Sequence, residues 1–510
     1  MQGTRRATMA VPFAVAMTAV AVPVVTHPLP PLTDYVNNLA AAYVIGAIGA
    51  DADLQRYYAI EWRIVPNLMM DLVVPALHRF MSIYLAGQVF VVLALGLILS
   101  GTFALSRALL GRWSVAPAAA AVILYNEVLL VGVMNYVFGV GLALWALAGW
   151  VALRARPWPW RIAVSTLFVV ALFVCHLFAV GLYGLGVLAL ETHRLWATRT
   201  RPLAPRLVDF VGSGVPFLAA ALLMLASPTL ELAGEVRWEV RGKFEGLQLV
   251  VTVYDYAIGA LVAAGFALAL AWSMRRGVLR LHPMGWMLLI IGGAIYLAMP
   301  RVLFATHLAD QRLPVALAFM LIACLDIDLR ERPLRRGLAV LFAGLLAVRL
   351  AEVQIGWNEL GRQSETFRRS VLELTRGARV LTVFADRDAY GAGRVSDFNL
   401  VHAASLAIIE RAALVSSAFV VPGKHVLQVR APYRRFVNRD DRVPPSADWL
   451  RPAAGSKDET DRFYWSQWHL HYDYVYVLFA DPGRANPDAA HLTLVREGPG
   501  FQLYRVILKR

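Results

Sequence analysis

Long apolar blocks with almost no charge recur along this chain, and they limit what it can fold into more than any other feature. A block of about 18 or more such residues matches a hydrocarbon core about 30 Å thick. Only helices and closed barrels cross that core with every backbone polar group satisfied. The blocks are too long and too evenly apolar for barrel strands, which alternate, so the crossings are helices. Composition agrees. Of 510 residues, 58% are hydrophobic and 16% charged, against about 45–50% and about 25% in soluble domains. Spans are expected at 8–26, 83–106, 115–131, 134–153, 161–175, 177–191, 207–226, 251–272, 283–299, 312–326 and 336–354, about eleven in all. The shorter paired ones can equally be drawn as bent or re-entrant pieces.

Orientation follows from arginine in the short connections. Arg5 and Arg6 precede the first span, and Arg107 and Arg112 follow the second. Arg154, Arg156 and Arg161 follow the fourth, and Arg194, Arg199, Arg201 and Arg206 the sixth. Arg275, Arg276 and Arg280 follow the eighth, and Arg330, Arg332, Arg335 and Arg336 the tenth. Every second connection is basic and is expected in the cytoplasm, with the amino terminus. Much of the net charge of +14 is then topology and no pointer to nucleic acid. Thr4-Arg5-Arg6 with the run behind it resembles a signal peptide, but the run is long and no small-x-small site precedes Pro23, so a retained anchor is expected. Cys175 and Cys324 lie inside apolar blocks, which excludes a disulfide framework.

The fold expected is an α-helical polytopic membrane protein with an extracytoplasmic α/β domain at its carboxy terminus. Residues 1–354 form the transmembrane part, with interfacial helices in a first external loop at 27–82, and 355–510 form the α/β domain. Strand signals fall at Ala378–Ala385, Leu414–Val421, His425–Val429, Tyr472–Phe479, Leu492–Val495 and Phe501–Ile507, with a helical pattern at Ser405–Ala413.

Polar residues with no structural reason to sit at the external boundary are the candidates for chemistry. Asp34 follows the first span closely and opens the amphipathic stretch Tyr35–Ile48. It reads either as a helix N-cap or as a carboxylate held near the headgroups. Asp51-Ala52-Asp53 has the form of a D-x-D metal motif, though two aspartates at a loop-to-helix boundary are common. Asn126, Glu127 and Asn135 mark a hairpin tip. Glu127 at the edge of an apolar block is a functional hypothesis by default, against a satisfied polar cluster. His176 reads as a capped turn residue or a cavity-lining group. Arg301, His307, Asp310 and Arg312 crowd one boundary segment. Arginine binds phosphate bidentately, whereas Asp310 could simply pair with Arg312. Arg237, Arg241 and Lys243 add external cations for which a lipid phosphate is one partner. In the tail, His469, His471 and Asp473 would share one face of a strand with zinc-ligand spacing, although aromatic-rich strands usually just pack.

One amino-terminal span, an acidic residue opening a long first external loop, short paired spans and an external carboxy-terminal domain together resemble the GT-C superfamily of polytopic membrane glycosyltransferases. The likeness covers the whole chain in layout and rests at residue level on the Asp34 region and Arg312. In style the chain also resembles bacterial membrane proteins of similar length. Many GT-C relatives carry paired acidic residues in the first loop, whereas here Asp34 stands alone until Asp51. The resemblance implies a hexosyl- or pentosyltransferase of the bacterial inner membrane and cell envelope. It would take sugar from a polyprenyl-phosphate donor and pass it to a lipid, glycan or protein acceptor on the outer face. Asp34 would be the base. Arg312, with Arg301 or His307, would hold the donor phosphate. Glu127, Asn126 and His176 would line the acceptor side. No redox cofactor is implied, and a divalent metal is compatible but not demanded, with Asp51 and Asp53 as its candidates. Two other classes remain open: a transporter or lipid flippase, whose polar groups should line a path through the bundle, and a non-catalytic envelope assembly protein, with a binding patch on the tail.

Overall fold

The computed structural model describes residues 2–232, 236–303, 306, 308–387, 395–440, 442–455 and 463–507. In chain order its first helices are α1 (Gln2–Thr26), α2 (Tyr35–Ala47) and α3 (Ala52–Tyr57), followed by strand β1 (Tyr58–Ile60). Then come α4 (Met69–His78), α5 (Ile83–Leu110), α6 (Glu127–Leu130), α7 (Met134–Ala152), α8 (Trp158–Cys175) and α9 (Leu177–Ala197). The apolar stretch Leu203–Leu225 holds α10 (Leu203–Gly212) and α11 (Leu218–Leu225), and α12 (Arg241–Gln248) leads to α13 (Tyr256–Arg275). Strand β2 (Leu279–Leu281) precedes α14 (Pro283–Met287), α15 (Gly293–Ala298) and α16 (Arg312–Ala323), and β3 (Leu325–Ile327) precedes α17 (Arg332–Val371).

Six helical stretches are long and apolar enough to cross a membrane: Ile83–Leu110, Met134–Ala155, Trp158–Cys175, Leu203–Leu225, Tyr256–Arg275 and Arg332–Val371. Shorter apolar helices are Ala10–Thr26, Met69–His78, Pro283–Ala298 and Arg312–Ala323. The outer members expose their apolar side chains, as Leu167, Val208, Leu222 and Leu268 do. In water that would be costly; against lipid it is the expected outcome. The protein is an integral membrane protein.

The stretch expected as a span at 115–131 is not one regular helix. It is a tight 3-10 turn over Ala116–Ile123 followed by the single turn of α6. It connects Arg112, ion-paired with Asp326, to Val131, whose carbonyl accepts from Asp34 N. Its residues from Ala120 to Asn126 are buried. Irregular backbone is tolerated at membrane depth only where protein surrounds it, and α5, α16 and α17 supply that surround.

Helix α17 is 40 residues long, about 60 Å at 1.5 Å per residue. It runs unbroken past the apolar part and delivers the chain to a five-stranded sheet. Strands β4 (Arg379–Phe384), β5 (Leu414–Val415), β6 (Leu427–Val429), β7 (Tyr474–Ala480), β8 (Leu492–Gly498) and β9 (Gly500–Val506) follow, with helix α18 (Leu406–Arg411) between β4 and β5. The sheet order is β5-β4-β7-β9-β8. Strand β4 pairs parallel with both β5 and β7, while β9 is antiparallel to β7 and β8. Buried Val, Leu, Phe and Tyr side chains fill β4 and β7, as a sheet covered on both faces requires.

The first loop is bound into this region. Strand β1 pairs antiparallel with β6, Tyr58 opposite Val429. Tyr57 and Tyr58 donate from their hydroxyls to Gly377 O and Ala413 O, at 2.5 and 2.9 Å. Helix α2, expected to be amphipathic, is packed between α4 and α18 with Tyr35, Val36, Asn37, Leu39 and Ala40 buried. Its uniform apolar character, broken mainly by Asn37 and Asn38, reflects burial on several sides rather than an interfacial stripe.

Candidate active site

Pro28, Pro30 and Pro31 end α1, since proline cannot continue a helix as a donor, and turn the chain toward Asp34. The backbone there is clamped: Thr33 N donates to Leu130 O and Asp34 N to Val131 O, both at 2.9 Å. Gly132 makes this approach workable. Its φ is +80°, and a Cβ on it would stand 2.8 Å from Asp34 N. Asp34 occupies the N-cap position of α2, but its side chain makes no cap hydrogen bond. Its carboxylate Oδ1 instead lies 3.3 Å from Nε2 of His402, and the group is partly open, at 28% exposure.

Arg312 begins α16 and is buried. Its backbone carbonyl accepts from the Tyr136 hydroxyl at 2.9 Å, and its guanidinium sits 5.7 Å from the Tyr136 ring centre and 6.0 Å from that of Phe178. One terminal nitrogen is 3.3 Å from Nε2 of His176. His176 caps α9, its Nδ1 accepting from Phe178 N at 3.1 Å. A neutral imidazole accepts at one nitrogen only, and Phe178 N–H and the donor-only guanidinium both address the ring. The Arg312 guanidinium, packed beside that ring, is the group suited to an anionic acceptor. Asp34 N is bonded to Val131 O just before α7, and the Tyr136 hydroxyl of α7 is bonded to Arg312 O. A carboxylate, an arginine and an imidazole thus come together at one end of the bundle, with the positive charge of the Lys424 loop bearing on His176. That loop is tied down by Thr229, whose hydroxyl donates to Gly423 O at 2.8 Å.

Several other candidates are committed elsewhere. Arg301 pairs with Glu245 at 3.3 Å and Glu239 at 3.7 Å, which removes it from the phosphate set. Asp310 pairs not with Arg312 but with buried Lys243, at 2.8 Å. Arg237 and Arg241 likewise meet Glu239 and Glu245, so these cations have carboxylate partners rather than requiring a lipid. Asn126 is an N-cap: its Oδ1 accepts from Leu129 N, and its Nδ2 donates to Ile123 O and Leu124 O. Buried with both ends used, it is a structural residue and lines no acceptor site. Glu127 is half-buried at the start of α6, its N–H donating to Leu249 O. His307 lies outside the described residues.

Both carboxylates of the D-x-D motif face an arginine. Arg376 binds Asp51 and, at 2.9 Å, Asp53, while Asp51 also accepts from Asp53 N and Leu54 N as the N-cap of α3. Burial opposes ionisation of Asp51, but the Arg376 guanidinium and those two N–H groups outweigh it and hold the carboxyl below the usual range. His469, His471 and Asp473 do not share a strand. Trp468–His471 is a helical turn, and Asp473 accepts from Arg379 N at 2.7 Å. Among the described residues no group of three His, Cys, Asp or Glu could hold a metal ion.

Sequence reasoning missed His402, Asn37 and Lys424. The one available signal was Asn37, a polar residue inside an apolar stretch. Nothing local marks His402 or Lys424, which reach the site only through the fold.

No protein-family model matches the chain, and no curated protein matches it in sequence. Solved structures do match. The crystal structure of ArnT from Cupriavidus metallidurans bound to undecaprenyl phosphate covers 97% of this chain and 97% of its own, with a TM-score of 0.53 and 13% identity. The two chains share a fold. A second match, the arabinofuranosyltransferase AftD from Mycobacteria, covers 98% of this chain and 41% of its own, with a TM-score of 0.44 and 15% identity. The resemblance to GT-C proteins expected from layout is met at the level of fold by the ArnT structure, over 97% of this chain.

Proposed function

We propose that the protein transfers a sugar from a polyprenyl-phosphate-linked donor to a hydroxyl of a lipid, glycan or protein acceptor at the outer face of the bacterial inner membrane. In this reading the Asp34 end of the bundle and the sheet-bearing region lie outside the cytoplasm. The observation that carries it is Asp34, partly open, at the same end of the bundle as Arg312 and its neighbour His176. The fold shared with a polyprenyl-phosphate-binding glycosyltransferase makes that chemistry the one to test first.

Each group then has a role. Arg312 binds the donor phosphate, oriented by His176 beside it, with Lys424 adding positive potential. As the bond between the anomeric carbon and the phosphate oxygen breaks, the charge left on phosphate grows, and fixed donors stabilise that change more than they stabilise the bound donor. Asp34 accepts the proton of the attacking hydroxyl as the new glycosidic bond forms, and the sugar inverts. Such a base contributes about 10²–10⁴-fold. No step requires a redox group.

A transporter would line a path through the bundle with polar groups. Here Asp34, His402, Arg312 and His176 converge at one end, and the polar interior residues Thr102 and Asn126 are satisfied by their own backbone, which favours chemistry at a boundary. The test is transfer of label from a panel of polyprenyl-phosphate sugars into membrane acceptors by the purified protein. Transfer from one donor class supports the reading. No transfer from any donor, with acceptor fractions proven competent by another glycosyltransferase, rejects it.

A further inference from the structure

We infer that His402 and Asn37 form a positioning device for the Asp34 carboxylate, so that the carboxy-terminal region supplies part of the active site. This rests on Asp34 acting as the base. The argument starts at Asn37, in α2 one turn beyond Asp34. Its Oδ1 accepts from Phe419 N at 3.0 Å and from the Ser405 hydroxyl at 3.1 Å. That fixes the amide orientation, so its Nδ2 is the donor on the other side. Nδ2 donates to Ser417 O at 3.0 Å and faces Nδ1 of His402 at 3.2 Å.

The His402 tautomer follows. With Nδ1 accepting from Asn37, the ring hydrogen is on Nε2, and Nε2 points at Asp34 Oδ1, 3.3 Å away. The Phe419 ring packs edge-on against the imidazole at 4.8 Å and stacks on His425 at 5.1 Å, which fixes the ring plane. His402 therefore carries its N–H on the nitrogen beside Asp34 and has its one lone pair already used. It has no free lone pair to receive the proton that Asp34 takes up, so it is not a relay. It holds Oδ1 and leaves Oδ2 as the oxygen presented to the acceptor hydroxyl.

This arrangement explains an otherwise odd combination. Asp34 and Asn37 are near neighbours in sequence, yet the histidine between their side chains comes from a segment 365 residues away. Joining the first loop to the sheet region through β1 and β6 brings that histidine into place. The inference therefore also says that the base is fully oriented only when the two regions are docked.

The test compares His402→Ala, His402→Gln and Asp34→Asn in the full-length protein, each checked for wild-type thermal unfolding in detergent. A glutamine amide can donate from near the position of Nε2, so it separates the hydrogen bond from the ring. His402→Ala is expected to lower kcat about 10–100-fold, the order of loss that small misplacement of a reacting group causes, with the donor KM unchanged. His402→Gln is expected to regain most of that loss, and Asp34→Asn to lower transfer by about 10²–10⁴-fold. Wild-type kcat in His402→Ala, or equal loss in the alanine and glutamine variants at normal stability, overturns the inference while leaving Asp34 as base. If His402→Ala unfolds, the glutamine variant decides alone: near wild-type kcat supports the donor role, and a tenfold or greater loss overturns it. Full activity in Asp34→Asn instead removes the base itself.

Discussion

Replacing Gly132 with alanine tests the way the fold positions Asp34. The glycine has φ +80°, where an alanine costs about 1–2 kcal/mol. It cannot rotate away, because its N–H donates to Leu129 O and its carbonyl accepts from Met134 N. The new methyl would stand 2.8 Å from Asp34 N and 3.0 Å from Tyr35 N, so the Asp34 backbone must retreat by roughly half an ångström or more to reach an ordinary contact. That movement strains two hydrogen bonds, Thr33 N to Leu130 O and Asp34 N to Val131 O, each worth about 1 kcal/mol. The expected loss is about 2–4 kcal/mol in stability and up to about 100-fold in kcat, since misplacement by about 1 Å can cost that much. Gly111→Ala is the control. Gly111 has φ +67° at the end of α5, with nothing within 4 Å of its Cβ position, so it incurs the backbone strain alone. Thermal unfolding in detergent and initial transfer rates read both quantities. Wild-type transfer in Gly132→Ala, or an equal loss of kcat in Gly111→Ala, would refute the reasoning.

Arg312→Lys keeps the charge but loses the planar fork, so the donor KM should rise about tenfold, and Arg312→Ala should cost kcat as well; donor titration at saturating acceptor measures both. Arg376→Ala should loosen the docking of the first loop by about 0.5–1 kcal/mol, because the pair is partly exposed. Asp51 has its carboxyl depressed in the folded state, so this contribution is fully present above the unfolded value of about 4 and is lost as pH falls below it. The difference in unfolding temperature between wild type and Arg376→Ala should therefore be full at neutral pH and shrink on acidification; a difference that grows toward low pH contradicts the assignment. Asp51→Asn with Asp53→Asn should leave the response of transfer to chelators as in wild type, because those carboxylates serve Arg376. A response to EDTA that disappears in the double variant would return them to metal binding.

The membrane part of the fold was legible because its signal is one-dimensional: apolar length is read directly from the chain. The same logic misdrew residues 115–131, where length and hydropathy suggest a span but burial among other helices permits an irregular path. Helix α2 proved buried on several sides rather than on one stripe for a related reason, since lipid and protein interior select the same apolar side chains. Asp34, Arg312 and His176 could be named because each is polar at the edge of an apolar run. Their roles could not be ranked from the sequence: Asp51, Asp53 and Arg301 are equally polar, and only the positions of Arg376, Glu239 and Glu245 show that they are already paired. His402 was beyond local reasoning altogether, because its meaning comes from contacts with Asp34 and Asn37 more than 360 residues earlier.

The most direct measurement of the central claim is the single-turnover rate of sugar transfer from a polyprenyl-phosphate donor by wild type and by Asp34→Asn, at matched folding and saturating donor. The account predicts that donor binding persists in the variant while transfer falls by about 10²–10⁴-fold, as removal of a general base requires. Transfer at the wild-type rate in Asp34→Asn would contradict it.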